Sequence, residues 1–383
     1  MIKKTQASLV DRANYASLSE CIYLNQASLG LLSETAVLTM HDFLDNTARH
    51  GNLHMSDADE VAFFSTLREQ AARLLHCDEP RLAIISSAGE MLSQLPYLFA
   101  PPAGSEIVAI ATDFPAVTRP WLLYAAENSL RVEFVEDSPD WDLTETLIER
   151  IGENTAVVAI SQVQFSTGTV LDIPRLRGAA ERVGARVIVD VTQSAGGMRL
   201  DTRSWDADVV VSSGYKWLGG HGGIALAVLS PQMLERKPIA PGWMGAPDPF
   251  DFDATSLHFA KGARRYTQST MAYVSMTGLC VSIAEQLLLP RKTIEHHTNT
   301  LANMLVERAE TSGWVPFRPL DDVAASKHIV ALSHPQIKSH LAAGNLRDQG
   351  IICGSRNGRI RVSIAPYNDE SDIDALVNVL ANL

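Results

Sequence analysis

The chain has 383 residues, 46% of them hydrophobic and 20% charged, with 32 Lys+Arg against 44 Asp+Glu and a formal net charge of −12. That length suggests two or three domains at about 150 residues each, the composition supports a sizeable core, and the acidic balance argues against a surface built for nucleic acid or an anionic membrane. No apolar run reaches the roughly 18 residues of a membrane span, the first residues carry no secretory apolar stretch, and Cys21, Cys77, Cys280 and Cys353 form no CxxC pair, so reduced thiols and a cytoplasmic location are expected.

In chain order, β-rich runs fall at 82–87, 106–112, 131–135, 156–163, 186–192, 208–213 and 223–229, and segments with helical spacing lie between several of them at 115–128, 144–151 and 174–183. Runs such as Ala-Val-Val-Ala-Ile and Val-Ile-Val are apolar without alternation, the pattern of strands buried on both faces. The expected fold class is therefore α/β, a mostly parallel sheet covered by helices. After Pro290 the pattern changes to a helix reaching about Ser312, a strand at 329–332, a helix at 335–343, strands at 350–353 and 359–364, and a last helix at 370–380 with Asn368 and Asp369 as caps. This divides the chain into a large domain, 23–284, and a smaller α+β domain, 285–383, with 1–22 packing on the latter.

Ligands of an open parallel sheet bind outside the carboxyl ends of its strands. The polar residues ending the apolar runs are Ser86-Ser87-Ala88-Gly89, Asp113-Phe114-Pro115, Gln162 with Gln164, Asp190 with Gln193, and Ser212-Ser213-Gly214-Tyr215-Lys216. Asp190 ends a buried run and needs a cationic or donor partner; taken alone it also reads as a helix cap or a structural ion pair. Lys216, 26 residues further on, follows another buried run; alone it also reads as a snorkelling surface lysine. Together, a buried carboxylate, a lysine and a Ser/Gly turn opening a helix are what pyridoxal phosphate needs: a covalent anchor, a partner for the pyridine nitrogen, and backbone amides for the phosphate. Neither a GxxxxGK[ST] loop nor a GxGxxG after a strand is present, which argues against a P-loop and a dinucleotide site.

At these residues the sequence resembles class V of the fold-type I pyridoxal-phosphate enzymes, a family of aminotransferases, cysteine desulfurases, kynureninases, epimerases and lyases. The resemblance rests on Asp190-Val191-Thr192-Gln193-Ser194-Ala195-Gly196-Gly197 and Ser213-Gly214-Tyr215-Lys216-Trp217-Leu218-Gly219-Gly220, and runs in register through Tyr23-Leu24-Asn25-Gln26-Ala27-Ser28, Asp113-Phe114-Pro115, Gly242-Trp243-Met244-Gly245 and Arg359-Ile360-Arg361-Val362-Ser363. It implies that Lys216 carries the cofactor and moves the α-proton, Asp190 binds the ring nitrogen, Gln193 lies near the ring, and Phe114 stacks on it. Ser87, Ala88, Gly89, Ser213 and Tyr215 would hold the phosphate, and Thr270 would reach the phosphate of the neighbouring subunit of a homodimer. Arg361 would clamp the substrate carboxylate, with Asn25, Ser28 and His54 near the substrate.

The sequence also departs from the family's pattern. Phe165 falls where Asn is common, with Gln164 offered as the replacement polar contact; Thr267 and Ser269 replace the Glu and Gly of the inter-subunit motif. The interval before Arg361 is too short for a mobile loop bearing a nucleophilic cysteine, and Cys353 reads as a buried strand residue. His50 and His54 lack the acidic or thiol neighbours of a metal site, and no metal is expected. The resulting expectation is a pyridoxal-phosphate enzyme acting at the α-carbon of a small amino acid or related metabolite, an aminotransferase first, with a C–S or β-lyase, an epimerase, or an inactive cofactor-binding regulator as alternatives.

Overall fold

The computed structural model describes residues 6–383; of the N-terminal stretch 1–22, the first five residues lie outside the described ones. A short strand β1 (Ile22–Tyr23) precedes two long helices, α1 (Glu34–His50) and α2 (Asp57–Leu75). There follow β2 (Leu82–Ile85), α3 (Ala88–Phe99), β3 (Glu106–Ile110), α4 (Pro115–Asn128), β4 (Arg131–Val135), α5 (Leu143–Arg150), β5 (Thr155–Ser161), α6 (Ile173–Val183), β6 (Arg186–Asp190), α7 (Thr202–Trp205), β7 (Val209–Ser213) and β8 (Ala225–Leu229). The chain ends with α8 (Pro231–Glu235), α9 (Tyr273–Leu288), α10 (Arg291–Glu310), β9 (Val315–Pro316), β10 (Ile329–Ser333), α11 (Ser339–Asp348), β11 (Ile351–Ile352), β12 (Gly354–Arg356), β13 (Arg359–Ser363) and α12 (Glu370–Leu380).

Seven strands form the main sheet in the order β2-β8-β7-β6-β5-β3-β4. Strands β4, β3, β5, β6 and β7 are mutually parallel; β8 is antiparallel to both β7 and β2, so β2 runs with the other five. The expected mostly parallel α/β sheet is thus present, and its carboxyl edge collects the ends of β2, β3, β5, β6 and β7. The apolar runs explain why it forms: Val157 to Ile160 and Val187 to Val189 are at most 1% exposed, and each such side chain contributes about 1.5–3 kcal/mol by leaving water. One core cluster lies on each face of this sheet, led by Val108, Val158 and Val187 on one side and Ile107, Val157 and Ile188 on the other.

The C-terminal elements build a second, antiparallel sheet, β12-β13-β10-β9, with its own core around Leu301, Val330, Leu346, Ile360 and Leu376. Asp369 caps α12 in a reciprocal arrangement with Asp372, while Asn368 ties the same turn to the carbonyl of Tyr23. Residues 6–22 lie against this part of the chain: Leu9 N donates to the Pro366 carbonyl, and Arg12 pairs with Asp369 and Asp372. Three local expectations differ. The helix read at 335–343 begins only at Ser339, and the strand read at 350–353 is broken into β11 and β12, with the buried Cys353 at the break. The long helices α1, α2 and α9 are additional to the elements read from sequence. Among the described residues no single helix is long and apolar enough to cross a membrane.

Candidate active site

Ser87 follows β2, Phe114 follows β3, Phe165 follows β5, Asp190 ends β6, and Ser213, Tyr215 and Lys216 end β7 and begin its following turn. These residues, with Ala88, Gly89, Ser161, Thr192 and Gln193, line one cleft of about 220 Å³ at the carboxyl edge of the sheet. The topology explains the convergence: five parallel strands deliver their last residues to one edge, and the loops after them supply the polar groups.

At one end of the cleft α3 begins. Ser87 is its N-cap, its Oγ accepting from Glu90 N at 3.0 Å. The first-turn amides at Ala88 and Gly89 have no intrahelical acceptor, and a Cβ added at Gly89 would meet nothing within 4 Å, so backbone is open there to an anion.

Asp190 and Lys216 face each other across adjacent strands; Asp190 pairs in register with Val211 of β7. Asp190 is 7% exposed and takes a hydrogen bond from Thr192 N at 2.7 Å; burial raises its pKa, while Thr192 and the charge of Lys216 pull it down. Lys216 is equally buried and its amine is lowered to about 8, chiefly by burial; Asp190 opposes the shift, and the cations Arg361 and Arg356 add to it. Its Nζ stands 5.1 Å from the Phe114 ring centre and 5.6 Å from that of Tyr215. An amine in this setting is neutral in about a tenth of molecules at pH 7, roughly 300-fold more than an ordinary lysine.

The loop carrying Lys216 is held from behind by the segment 25–31. Gln26 Nε2 donates to the Lys216 carbonyl at 3.0 Å and Gly30 N to that of Tyr215 at 2.9 Å. A Cβ at Gly30 would lie 2.1 Å from the Lys216 oxygen, so only glycine allows this approach. Gln193 is fixed on three sides: its Nε2 donates to Ala27 O at 3.0 Å, its Oε1 accepts from Trp217 Nε1 at 2.9 Å, and its carbonyl is 2.6 Å from His328 Nε2. His328 is fully enclosed and burial lowers it to about 4, so it is the neutral imidazole that donates here.

Phe114, 39% exposed, stands edge-on to Phe165 with ring centres 5.5 Å apart. Its backbone is set by Asp113, whose Oδ1 accepts from Phe114 N and Ser161 Oγ, both at 2.6 Å, and whose Oδ2 accepts from Ser161 N at 2.7 Å. Burial raises Asp113 to about 6 despite these bonds, with Asp190 contributing. Asp113, Ser161 and Thr192 were not singled out as site residues by sequence reasoning; for Asp113 the signal was present, a carboxylate closing the apolar run of β3.

Beyond Phe165 lies a second cluster. Arg361, 1% exposed, donates from Nη1 to the Phe165 carbonyl at 2.8 Å and from Nη2 to Ser28 Oγ, and burial lowers its guanidinium to about 9, helped by Arg356. Asn25 joins this cluster: a Cβ at Gly354 would lie 3.3 Å from its Oδ1 and 3.5 Å from Arg361 Nε. Gln164 packs beneath the cleft wall, its amide donating to Ser161 O at 3.1 Å and toward Asp113 Oδ2 at 3.4 Å. His54 lies in the exposed turn between α1 and α2, edge-on to His50 at 4.9 Å, and Thr270 is exposed before α9; neither lines the cleft of this single chain. All four cysteines are free, and among the described residues no group of three metal-ligating side chains is assembled. Cys353 is pushed up to about 12 by burial, a thiol rather than a thiolate.

The uncharacterized aminotransferase YcbU of Bacillus subtilis (strain 168) is 23% identical to this chain over 374 residues, 97% of this chain and 96% of its own length. Cysteine desulfurase CsdA of Escherichia coli (strain K12) is 26% identical over 394 residues, 96% of each; its crystal structure matches with a TM-score of 0.84 over 97% of this chain and 96% of that one, at 23% identity. A mutant of C-DES with glycine covalently linked to its PLP cofactor matches with a TM-score of 0.88 over 98% of this chain and 100% of that one, at 20% identity. These likenesses show the fold, that of the fold-type I pyridoxal-phosphate enzymes. The aminotransferase class-V model matches residues 22–376, nearly the whole length, and the chain belongs to that family.

Proposed function

We propose that the protein is a pyridoxal-phosphate enzyme acting at the α-carbon of an amino acid or amino-acid-derived metabolite, an aminotransferase, working as a homodimer. The observation that carries the reading is the placement of Lys216 and Asp190, both 7% exposed, on adjacent strand ends in one cleft whose far end is the open N-terminus of α3.

The residues fit the cofactor on chemical grounds. Lys216 supplies an amine that is neutral often enough to attach it. Asp190, buried and acted on by the charge of Lys216 without a direct ion pair among the described residues, has room for the closer positive partner that a protonated ring nitrogen would supply. Phe114 exposes an aromatic face, and the first-turn amides of α3 with Ser87 and Ser213 offer donors for a phosphate. Bound there, pyridoxal phosphate supplies an electron sink for charge developing at the substrate α-carbon.

The chain's own groups do the rest. Lys216 Nζ takes the α-proton as a neutral amine and returns it as an ammonium, a role matched by a pKa near the working pH. Asp190 keeps a negative charge at the depth where the ring nitrogen must stay protonated. Arg361 orients the substrate through its carboxylate, and Phe165 and Phe114 exclude water from one side. Cys353 is enclosed and un-ionised, which supports a reaction without a cysteine persulfide on this residue.

The homodimer reading rests on the exposed Trp243 and Phe252, joined through the half-buried Phe250 with ring centres 5.5 and 5.8 Å apart, and on Thr270 as a contact across the interface. Single-turnover spectroscopy tests the reaction type. A transaminase leaves the amine on the cofactor until an oxo-acid is added; return of the starting spectrum without added oxo-acid, with every productive substrate, points to elimination or epimerisation instead.

A further inference from the structure

Two guanidinium groups converge on one hydroxyl. Arg361 and Arg356 both donate to Ser28 Oγ, Arg356 from Nη2 at 3.2 Å. The hairpin between β12 and β13 fixes this pairing. Asn357 and Gly358, at φ of +46° and +77°, form the two-residue turn that pairs Arg356 with Arg359 and Gly354 with Arg361. Gly354 lies against both Arg361 and Asn25, a Cβ there falling 3.5 Å from Arg361 Nε and 3.3 Å from Asn25 Oδ1. Arg359 does not join them; it lies on Phe317 at 4.5 Å.

Among the described residues neither Arg361 nor Arg356 forms an ion pair with a carboxylate, whereas Arg12, Arg186, Arg308 and Arg318 each do. Both also repel Lys216. Arg361 Nε and Asn25 Oδ1 are buried without a hydrogen-bond partner. Like charges placed together without an acid are unfavourable unless a ligand supplies the opposite charge. One α-carboxylate answers the buried Arg361 and leaves the half-exposed Arg356 free to meet a second anion. The N-terminus of α3 lines the cleft whereas neither Arg361 nor Arg356 does, so a phosphate held at α3 does not neutralise this pair.

We infer that the substrate is an acidic amino acid, with Arg361 on its α-carboxylate and Arg356 on its side-chain carboxylate. The inference rests on the amino-acid reading of the cleft and narrows it to dicarboxylates.

Succinate and butyrate separate the two carboxylates without needing an amine or turnover. Calorimetric titration of the purified protein is expected to show succinate binding about tenfold or more tighter than butyrate at equal ionic strength, the effect of one additional charge-assisted contact. Arg356→Gln is expected to bring succinate down to the affinity of butyrate, while Arg356→Lys, which keeps the charge, retains part of the preference. Equal affinities in the wild type, or a preference that survives in Arg356→Gln, overturns the inference. The visible absorbance of the same sample keeps the two claims apart: a coloured protein with no dicarboxylate preference sinks only this inference, and a colourless one that prefers succinate sinks only the cofactor reading.

Discussion

Replacing Arg361 by lysine tests substrate capture without removing charge. The arginine is 1% exposed, donates to the Phe165 carbonyl at 2.8 Å and to Ser28 Oγ, and has its buried Nε without a partner among the described residues, open to a carboxylate. A lysine brings a single nitrogen and cannot make these contacts at once. Losing one or two charge-assisted hydrogen bonds, each about 1.5–3 kcal/mol, with part recovered by the ammonium, gives a loss of about 2–4 kcal/mol. That corresponds to roughly 30- to 1,000-fold in kcat/KM. The assay is steady-state kinetics of Arg361→Lys and Arg361→Ala on the amino acid the wild type turns over, with the cofactor spectrum recorded beside it. The spectrum of Arg361→Lys is expected to stay nearly unchanged, because the lysine keeps the positive charge that acts on Lys216 and Arg361 is not in the cleft lining. Unaltered kinetics in both variants would refute the reasoning and return Arg361 to a structural role.

Lys216→Ala is expected to abolish turnover while the protein still melts cooperatively; residual activity within tenfold of wild type contradicts the assignment. The rate of cofactor loading is expected to rise with pH through about 8 and level off above it, because attachment needs the neutral amine and burial has lowered Lys216 to that value. Asp190 stabilises the ammonium form, so Asp190→Asn is expected to move that midpoint to lower pH; a flat profile, or a shift upward, counts against the argument. Cys353→Ala is expected to leave turnover within a few-fold, since the thiol is enclosed and held at about 12; a collapse of activity with cysteine, together with a trapped persulfide on wild-type Cys353, would establish a desulfurase. Sedimentation is expected to find a dimer; a fully active monomer would remove the proposed role of Thr270.

The sheet was legible because strands buried on both faces leave uninterrupted apolar runs, and Asp190 and Lys216 were legible because each closes one. Side-chain direction was not. Gln164 sits where a polar contact was expected, yet its amide turns down to Asp113 and Ser161, a choice made by tertiary neighbours. Arg356 escaped notice because its importance comes from the β12–β13 register, which no local pattern prints. Helix α1 does carry a readable stripe, Ala36, Met40 and Phe43 at helical spacing behind the Ser33 N-cap, but the exposed Leu38 on the opposite side blurs it. The break at Cys353 reflects two different partners, β1 for β11 and β13 for β12, and one apolar run cannot reveal that.

The most direct measurement of the central claim is borohydride reduction of the purified protein followed by peptide mass analysis. The account predicts a visible absorbance band that disappears on reduction, with the cofactor's mass fixed on the peptide containing Lys216 and on no other. A protein that shows no such band after incubation with pyridoxal phosphate, or that carries the mass on a different lysine, contradicts it.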